Sequence, residues 1–234
     1  MPGKDRKRLY LIKEIFTALL DLVYPSYCKL CGKKLKPEEH IICNDCVERL
    51  NHYRFRESII KLDENSVLYS FFIFEDVVKD FVHLFKYYGY IPMGKKMVEF
   101  IKEKYELSFL NNYDYYLSVP LHKKKLKERG FNQAELIGEW LFNNTNVEKF
   151  SFLRRIRIGL PQASLAKKER IKNIKDSFVL KNPLENKEVF KNKNILVVDD
   201  ILTSGATFFE IRKTLTPLEF ERIDILTLST PRKV

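Results

Sequence analysis

Apolar positions recur along this chain with two periods, and the alternation between them lays out its architecture. Leu9, Ile12, Phe16, Leu19, Leu20 and Val23 return at helical spacing and predict an amphipathic N-terminal helix with a buried stripe. Residues 67–74 (VLYSFFIF), rich in β-branched and aromatic side chains, predict a strand. Val77, Val78, Phe81, Leu84 and Phe85 predict a helix over 76–88, which Gly89 ends, and Met97, Phe100 and Ile101 face inward from a second helix over 93–105. A strand over 113–119 is stopped by Pro120. A loop then leads to a helix over 134–142. Residues 195–198 form the continuous apolar run expected of a central parallel strand buried on both faces. A helix over 207–215 and a strand over 223–228 follow.

Strands that alternate with helices predict an α/β fold with a mainly parallel central sheet flanked by helices, and ligands in such sheets sit beyond the carboxyl ends of the strands. Two segments break the pattern. Residues 51–64 are polar and charged and read as a linker or exposed helix tail, which divides the chain into an N-terminal module, 1–55, and a larger domain, 60–234. Residues 154–176 are basic, contain Gly159 and Pro161, and exceed an ordinary connection, as functional lids and disordered segments do.

Charge adds a bias. Lys and Arg number 42 against 31 Asp and Glu, a formal charge of +11 that favours polyanionic partners without naming one. Lys123, Lys124, Lys125, Lys127 and Arg129 concentrate that charge, relieved only by Glu128. Basic residues also precede the first apolar stretch, but Lys13, Glu14 and Asp21 interrupt it, so a signal peptide is not expected. No uninterrupted apolar run reaches membrane-spanning length, which excludes a transmembrane helix and predicts a cytoplasmic location.

In a reducing compartment the cysteines acquire a specific meaning. Cys28-x2-Cys31 and Cys43-x2-Cys46 form two short knuckles, each able to give two thiolates to a tetrahedral ion. Gly32 permits the tight turn of the first knuckle. Four thiolates leave no open position, so zinc here is structural; an iron centre satisfies the same spacing.

The remaining chemistry lies at the end of the central apolar run. In VVDDILTSGAT, residues 197–207, Asp199 and Asp200 leave the strand, Ile201 and Leu202 continue it, and Thr203, Ser204, Gly205, Ala206 and Thr207 lead into a helix. A helix N-terminus with a glycine that admits close backbone approach suits a phosphate. Adjacent carboxylates suit the vicinal hydroxyls of a ribose. A plain strand-to-helix turn accounts for the hydroxyls but leaves two mutually repelling acids unexplained.

This loop resembles the signature of type I phosphoribosyltransferases. The ordered set of cysteine knuckles, residues 84–87 (LFKY), residues 119–136 (VPLHKKKLKERGFNQAEL), residues 162–173 with Arg170, and the loop itself resembles the ComF family of competence-associated proteins. The resemblance implies a type I phosphoribosyltransferase-like fold behind a zinc-ribbon module and a site for 5-phosphoribosyl 1-pyrophosphate (PRPP). In that site Asp199 and Asp200 take the ribose hydroxyls, the loop takes the 5′-phosphate, and Pro120, Leu121 and His122 border the pyrophosphate. Mg²⁺ is expected with the pyrophosphate. Arg170 is singled out by the family pattern from a long basic segment that also carries Arg154, Arg155, Arg157, Lys167 and Lys168. Phosphoribosyl transfer in natural competence and DNA uptake is the implied function, with no acceptor legible. The competing reading is a non-catalytic competence factor that binds single-stranded DNA through Lys123, Lys124, Lys125, Lys127 and Arg129, beside a helicase partner. Aromatics such as Tyr53, Phe55, Tyr87, Tyr88 and Tyr90 are its candidate stacking groups, against the alternative that they pack in the core.

Overall fold

A computed structural model describes residues 25–39, 41–55, 59–158, 174–181 and 187–232. The expected N-terminal helix lies outside the described residues. The chain divides into two compact units, Met1–Arg49 and Leu50–Val234.

The larger unit is built on a six-stranded sheet. Its strands are β1 (Ile59–Lys61), β2 (Val67–Ile73), β3 (Tyr115–Ser118), β4 (Glu148–Lys149), β7 (Asn194–Ile201) and β8 (Arg222–Thr230), in the spatial order β1-β2-β8-β7-β3-β4. Only β1 runs antiparallel to its neighbour; every other pairing is parallel. A separate antiparallel pair joins β5 (Leu153–Arg155) to β6 (Phe178–Leu180). The cysteine unit holds one short helix, α1 (Asn44–Glu48). Around the sheet lie α2 (Asp76–Tyr87), α3 (Ile91–Lys104), α4 (Lys123–Arg129), α5 (Gln133–Phe142) and α6 (Ala206–Leu215).

Burial follows the sequence pattern. Ile195, Leu196, Val197 and Val198 are fully buried, as a strand covered on both faces requires. Leu117, Ile195, Val197 and Ile225 share one cluster with Phe208, Ile211 and Leu215 of α6. On the opposite face Tyr116 stacks on Phe142 of α5 at 4.5 Å, and an added Cβ at Gly138 would lie 2.8 Å from the Tyr116 ring and from Ser118 Oγ. Helices thus cover both faces, the α/β arrangement expected from the alternating pattern.

Two elements depart from the sequence reading. Residues 123–129 form a helix where a loop was expected. It has no apolar stripe, its Leu126 is 40% exposed, and its ends are fixed locally: His122 Nδ1 accepts from the Lys124 amide at 3.2 Å, and Gly130 closes the C-terminus. Residues 51–64 are more than a linker, because β1 adds an edge strand to β2, too short at three residues to show an alternation.

Topology positions the site. From β7 the chain crosses through α6 to β8, and from β3 through α4 and α5 to β4, so the connections diverge from two adjacent parallel strands. A crevice opens at such a switch point, beyond the carboxyl ends of β7 and β3.

At the opposite end of the sheet Asp224, wholly buried on β8, accepts from Tyr113 Oη at 2.5 Å and from the Val67 amide at 2.7 Å, and pairs with the Arg222 guanidinium. Removing a carboxylate from such a cluster strands its donors. Asp224→Ala is therefore expected to lower stability by roughly 3 kcal/mol in urea unfolding, and Tyr113→Phe by about 1 kcal/mol. Equal midpoints for Asp224→Ala and the parent chain would refute this role.

Candidate functional site

At the carboxyl end of β7 the strand continues through both acids to Ile201. Beyond it the Leu202 amide donates to Ser229 O at 3.1 Å, and the Leu202 carbonyl accepts from Thr230 Oγ1 at 2.8 Å, which anchors the start of the turn to β8. The turn closes at Gly205, whose φ of +72° is the left-handed conformation that favours glycine. A Cβ there would lie 2.8 Å from the Phe209 ring. The next residue opens α6, so the positive end of that helix faces a hollow lined by Asp199 and residues 201–208.

Asp200 is 5% exposed, and its two carboxylate oxygens lie 3.1 and 2.8 Å from Lys86 Nζ. Asp199 is half-buried, and one of its oxygens accepts from the Asp200 amide at 2.9 Å. Burial, then the neighbouring Asp200 charge, pushes the Asp199 carboxyl up to about 7, against the pull of Lys86 and Arg155. For Lys86 burial acts downward, but the charges of Asp200 and Asp199 outweigh it and raise its pKa.

The surrounding elements add positive charge. Lys125 and Arg129 stand one turn apart on α4 and are half-buried, whereas Lys123, Lys124 and Lys127 are exposed. Burial and the charges of Arg155, Arg129 and Lys86 lower the Lys125 pKa. Burial also lowers that of Arg155, with Asp199 opposing it. Arg155 lies over the Phe178 ring at 5.6 Å, held by the β5–β6 pair. Arg129 Nη1 donates to Gln133 Oε1 at 2.5 Å, and Gln133 Nε2 donates to the Lys86 carbonyl at 3.4 Å. Lys86, Lys125, Arg129 and Arg155 thus bring more positive charge to this edge than Asp199 and Asp200 neutralise, an arrangement suited to a ligand with several negative charges.

Pro120, Leu121 and His122 follow β3 beside this edge, where the Val119 amide donates to Val198 O at 2.9 Å. Arg170, with Lys167 and Lys168, lies outside the described residues. Lys86 and Gln133 were not singled out by sequence, though a signal existed: a lysine between Phe85 and Tyr87, on the buried side of a helix, requires a carboxylate partner.

In the cysteine unit, Cys28, Cys31, Cys43 and Cys46 place their sulfurs within 4.8 Å of one another. Cys28 and Cys46 are 3.8 Å apart and Cys31 and Cys43 3.6 Å, close to the edge of about 3.8 Å for a tetrahedron of sulfurs around zinc. Gly32, at φ +72°, turns the first knuckle. Burial opposes ionisation of Cys28, but the amides of Cys43, Cys31 and Leu30 outweigh it and bring the thiol down to about 7. Burial and the adjoining thiols push Cys46 up, a cost that a bound cation offsets. The donor set fits structural zinc.

Comparisons with known proteins agree with the zinc assignment. Residues 19–57 match the family described as "Double zinc ribbon domain". Similar curated proteins include "Competence protein F" of Haemophilus influenzae, 31% identical over 48% of this chain and 48% of that protein. "Competence protein ComFC" of Bacillus subtilis is 28% identical over 77% of this chain and 67% of that one. "DNA utilization protein YhgH" of Escherichia coli O157:H7 is 31% identical over 44% and 43%. The match thus spans about half or less of the Haemophilus and Escherichia proteins. Among solved structures, adenine phosphoribosyltransferase from Leishmania donovani aligns over 74% of this chain and 86% of its own, with a TM-score of 0.37 and 11% identity. The fold and sites define an α/β protein with a mostly parallel sheet and an N-terminal zinc ribbon. The chain is similar to competence and DNA-utilisation proteins of the ComF type, and its N-terminal part matches a zinc ribbon. Among the described residues no helix is long and apolar enough to cross a membrane.

Metal analysis of the purified protein is expected to give about one equivalent of zinc per chain, falling to a small fraction in Cys43→Ser. Iron at that stoichiometry, or unchanged zinc in the variant, would contradict the assignment. A second expectation concerns Asp199. A carboxyl whose folded pKa is raised opposes folding once the pH passes its ordinary range near 4, increasingly so up to about 7. Asp199→Asn is therefore expected to melt about 2–5 °C above the parent chain at pH 8, the gap closing towards pH 5. A gap that stays constant with pH would rule out this electrostatic origin.

Proposed function

We propose that the carboxyl-edge site binds the ribose 5-phosphate group of PRPP or a related ligand, and that the chain is a phosphoribosyltransferase acting in DNA uptake. The observation that carries this reading is the pair Asp199 and Asp200, half-buried and buried beside a glycine-cornered phosphate loop and ringed by Lys86, Lys125, Arg129 and Arg155. Vicinal hydroxyls of a ribose donate to the carboxylates, and the 5′-phosphate lies against Thr203, Ser204, Gly205, Ala206 and Thr207. The turn Pro120–His122 and the cations of α4 and β5 border the pyrophosphate.

In the transfer, the bond from the anomeric carbon to pyrophosphate breaks as the acceptor's bond forms, leaving positive charge on the sugar and negative charge on the leaving group. Lys125, Arg129 and Arg155 neutralise the departing pyrophosphate, and Asp199 and Asp200 hold the cationic sugar in place. Mg²⁺, carried in with the pyrophosphate, supplies further neutralisation of that group.

A second reading, a single-stranded DNA-binding competence factor working in the cytoplasm beside a helicase, is favoured by the exposed Lys123, Lys124 and Lys127 and by the relatives' printed names. The two readings are compatible.

PRPP with Mg²⁺ is expected to raise the melting temperature of the full chain, and Asp199→Asn with Asp200→Asn to abolish that rise. The same rise in the double variant would sink the proposal.

A further inference from the structure

Gln133 is a buried amide that touches two carriers of the site's positive charge, the guanidinium of Arg129 and the backbone of Lys86. It opens α5 and is 2% exposed. Asn132 before it fixes that start: its Oδ1 accepts from the Ala134 amide at 3.2 Å, and its Nδ2 donates to the Val119 carbonyl, just past the end of β3, at 3.0 Å. From this anchored position Gln133 Oε1 accepts from Arg129 Nη1, and Gln133 Nε2 donates to the Lys86 carbonyl at 3.4 Å. Among the described residues Arg129 donates to no other acceptor. Its guanidinium lies 5.8 Å from the centre of the Tyr87 ring, which is 61% exposed.

We propose that Gln133 is a positioning residue, holding the Arg129 guanidinium at the edge of the site where the pyrophosphate of PRPP is received. The inference rests on the function proposed above and adds to it the group that sets one of its cations. Helix α4 needs such a group. It is seven residues long and buries none of them, so packing does little to fix the direction in which its cations point. A long arginine side chain left to itself samples many rotamers, and ordering it is a cost that weakens binding. Gln133 orders it in advance, and its bond to Nη1 leaves the rest of the guanidinium fork for an anion.

The residue type follows from the two partners. A guanidinium only donates and a backbone carbonyl only accepts, so a bridge between them needs an acceptor and a donor on one side chain, which a primary amide supplies. A carboxylate would accept from Arg129 but strand the Lys86 carbonyl and cancel one cation of the site. The bridge does not reach the ribose end. Asp199 and the turn at Gly205 belong to β7 and its continuation, and the Lys86 ammonium is held by Asp200 itself. Gln133 therefore acts on the leaving group and not on the sugar.

Calorimetric titration of the full chain with PRPP and with ribose 5-phosphate, each with Mg²⁺, tests this. Gln133→Met, which keeps the length and removes both bonds, is expected to weaken PRPP binding about tenfold and ribose 5-phosphate binding by less than about twofold. Gln133→Glu, which keeps a bond to Arg129 but cancels its charge, is expected to show the same split and stands in if the Met variant does not fold. Arg129→Met is expected to weaken PRPP at least as much, and Gln133→Met added to it to cost nothing further, because the amide acts through the guanidinium. A merely structural role would lower the melting temperature and leave the ratio of the two affinities as in the parent chain. Equal losses for both ligands, unchanged PRPP binding in Gln133→Met, or additive losses in the double variant would each overturn the positioning role alone. A parent chain that binds neither ligand would overturn the function proposed above together with this role.

Discussion

Two carboxylates in succession at the buried end of a central strand repel each other and lose solvation, and this constraint shapes the rest of the carboxyl edge. Asp200 is tolerated because Lys86 lies within hydrogen-bonding distance of both its oxygens. Lys86 in turn is tolerated on a helix that buries Phe81, Val82 and Phe85 because the acids are there. Among the described residues no cation lies comparably close to Asp199, and its raised pKa reflects that imbalance. Natural sequences retain such local conflicts chiefly where a ligand resolves them. In the function proposed above, a ribose does so by donating two hydroxyls, and a pyrophosphate balances the cations that remain.

The same constraint explains how the neighbouring elements are fixed. The acids need β7 to be central, and Ile195, Leu196, Val197 and Val198, wholly buried, hold it there. They need cations from elements remote in sequence, supplied by α2, α4 and the β5–β6 pair. Gln133, 2% exposed, connects two of those sources by accepting from Arg129 and donating to the carbonyl of Lys86. A buried amide with both ends satisfied ties the helix carrying the inner lysine to the helix carrying the outer cations.

Legibility in the sequence followed the physics of each element. Strands β2, β7 and β8 and helices α2, α3, α5 and α6 were readable because burial imposes a period on their apolar residues. The cysteine knuckles and the glycine-cornered turn after β7 were readable because their residues are neighbours in sequence. Helix α4 was not, since its capping groups, not a buried stripe, define it. Strand β1 was too short to carry a pattern, and the β5–β6 pair joins residues on either side of a long segment whose composition reads only as basic. Lys86 was visible as part of LFKY but not as a partner of Asp200, because a contact spanning 114 positions leaves no mark in either neighbourhood.

The basic run of 123–129 shows how structure changes the meaning of composition. Read as a string, its five cations are equivalent. Wound into a helix they divide: Lys125 and Arg129, one turn apart, are half-buried towards Lys86 and Arg155, while Lys123, Lys124 and Lys127 remain in solvent. Half-buried cations suit a small polyphosphate, which offsets their burial by direct contact. Outward cations beside exposed tyrosines suit a chain that is only partly desolvated and contributes through counterion release. One seven-residue helix therefore presents two sets of cations, one half-buried and one in solvent.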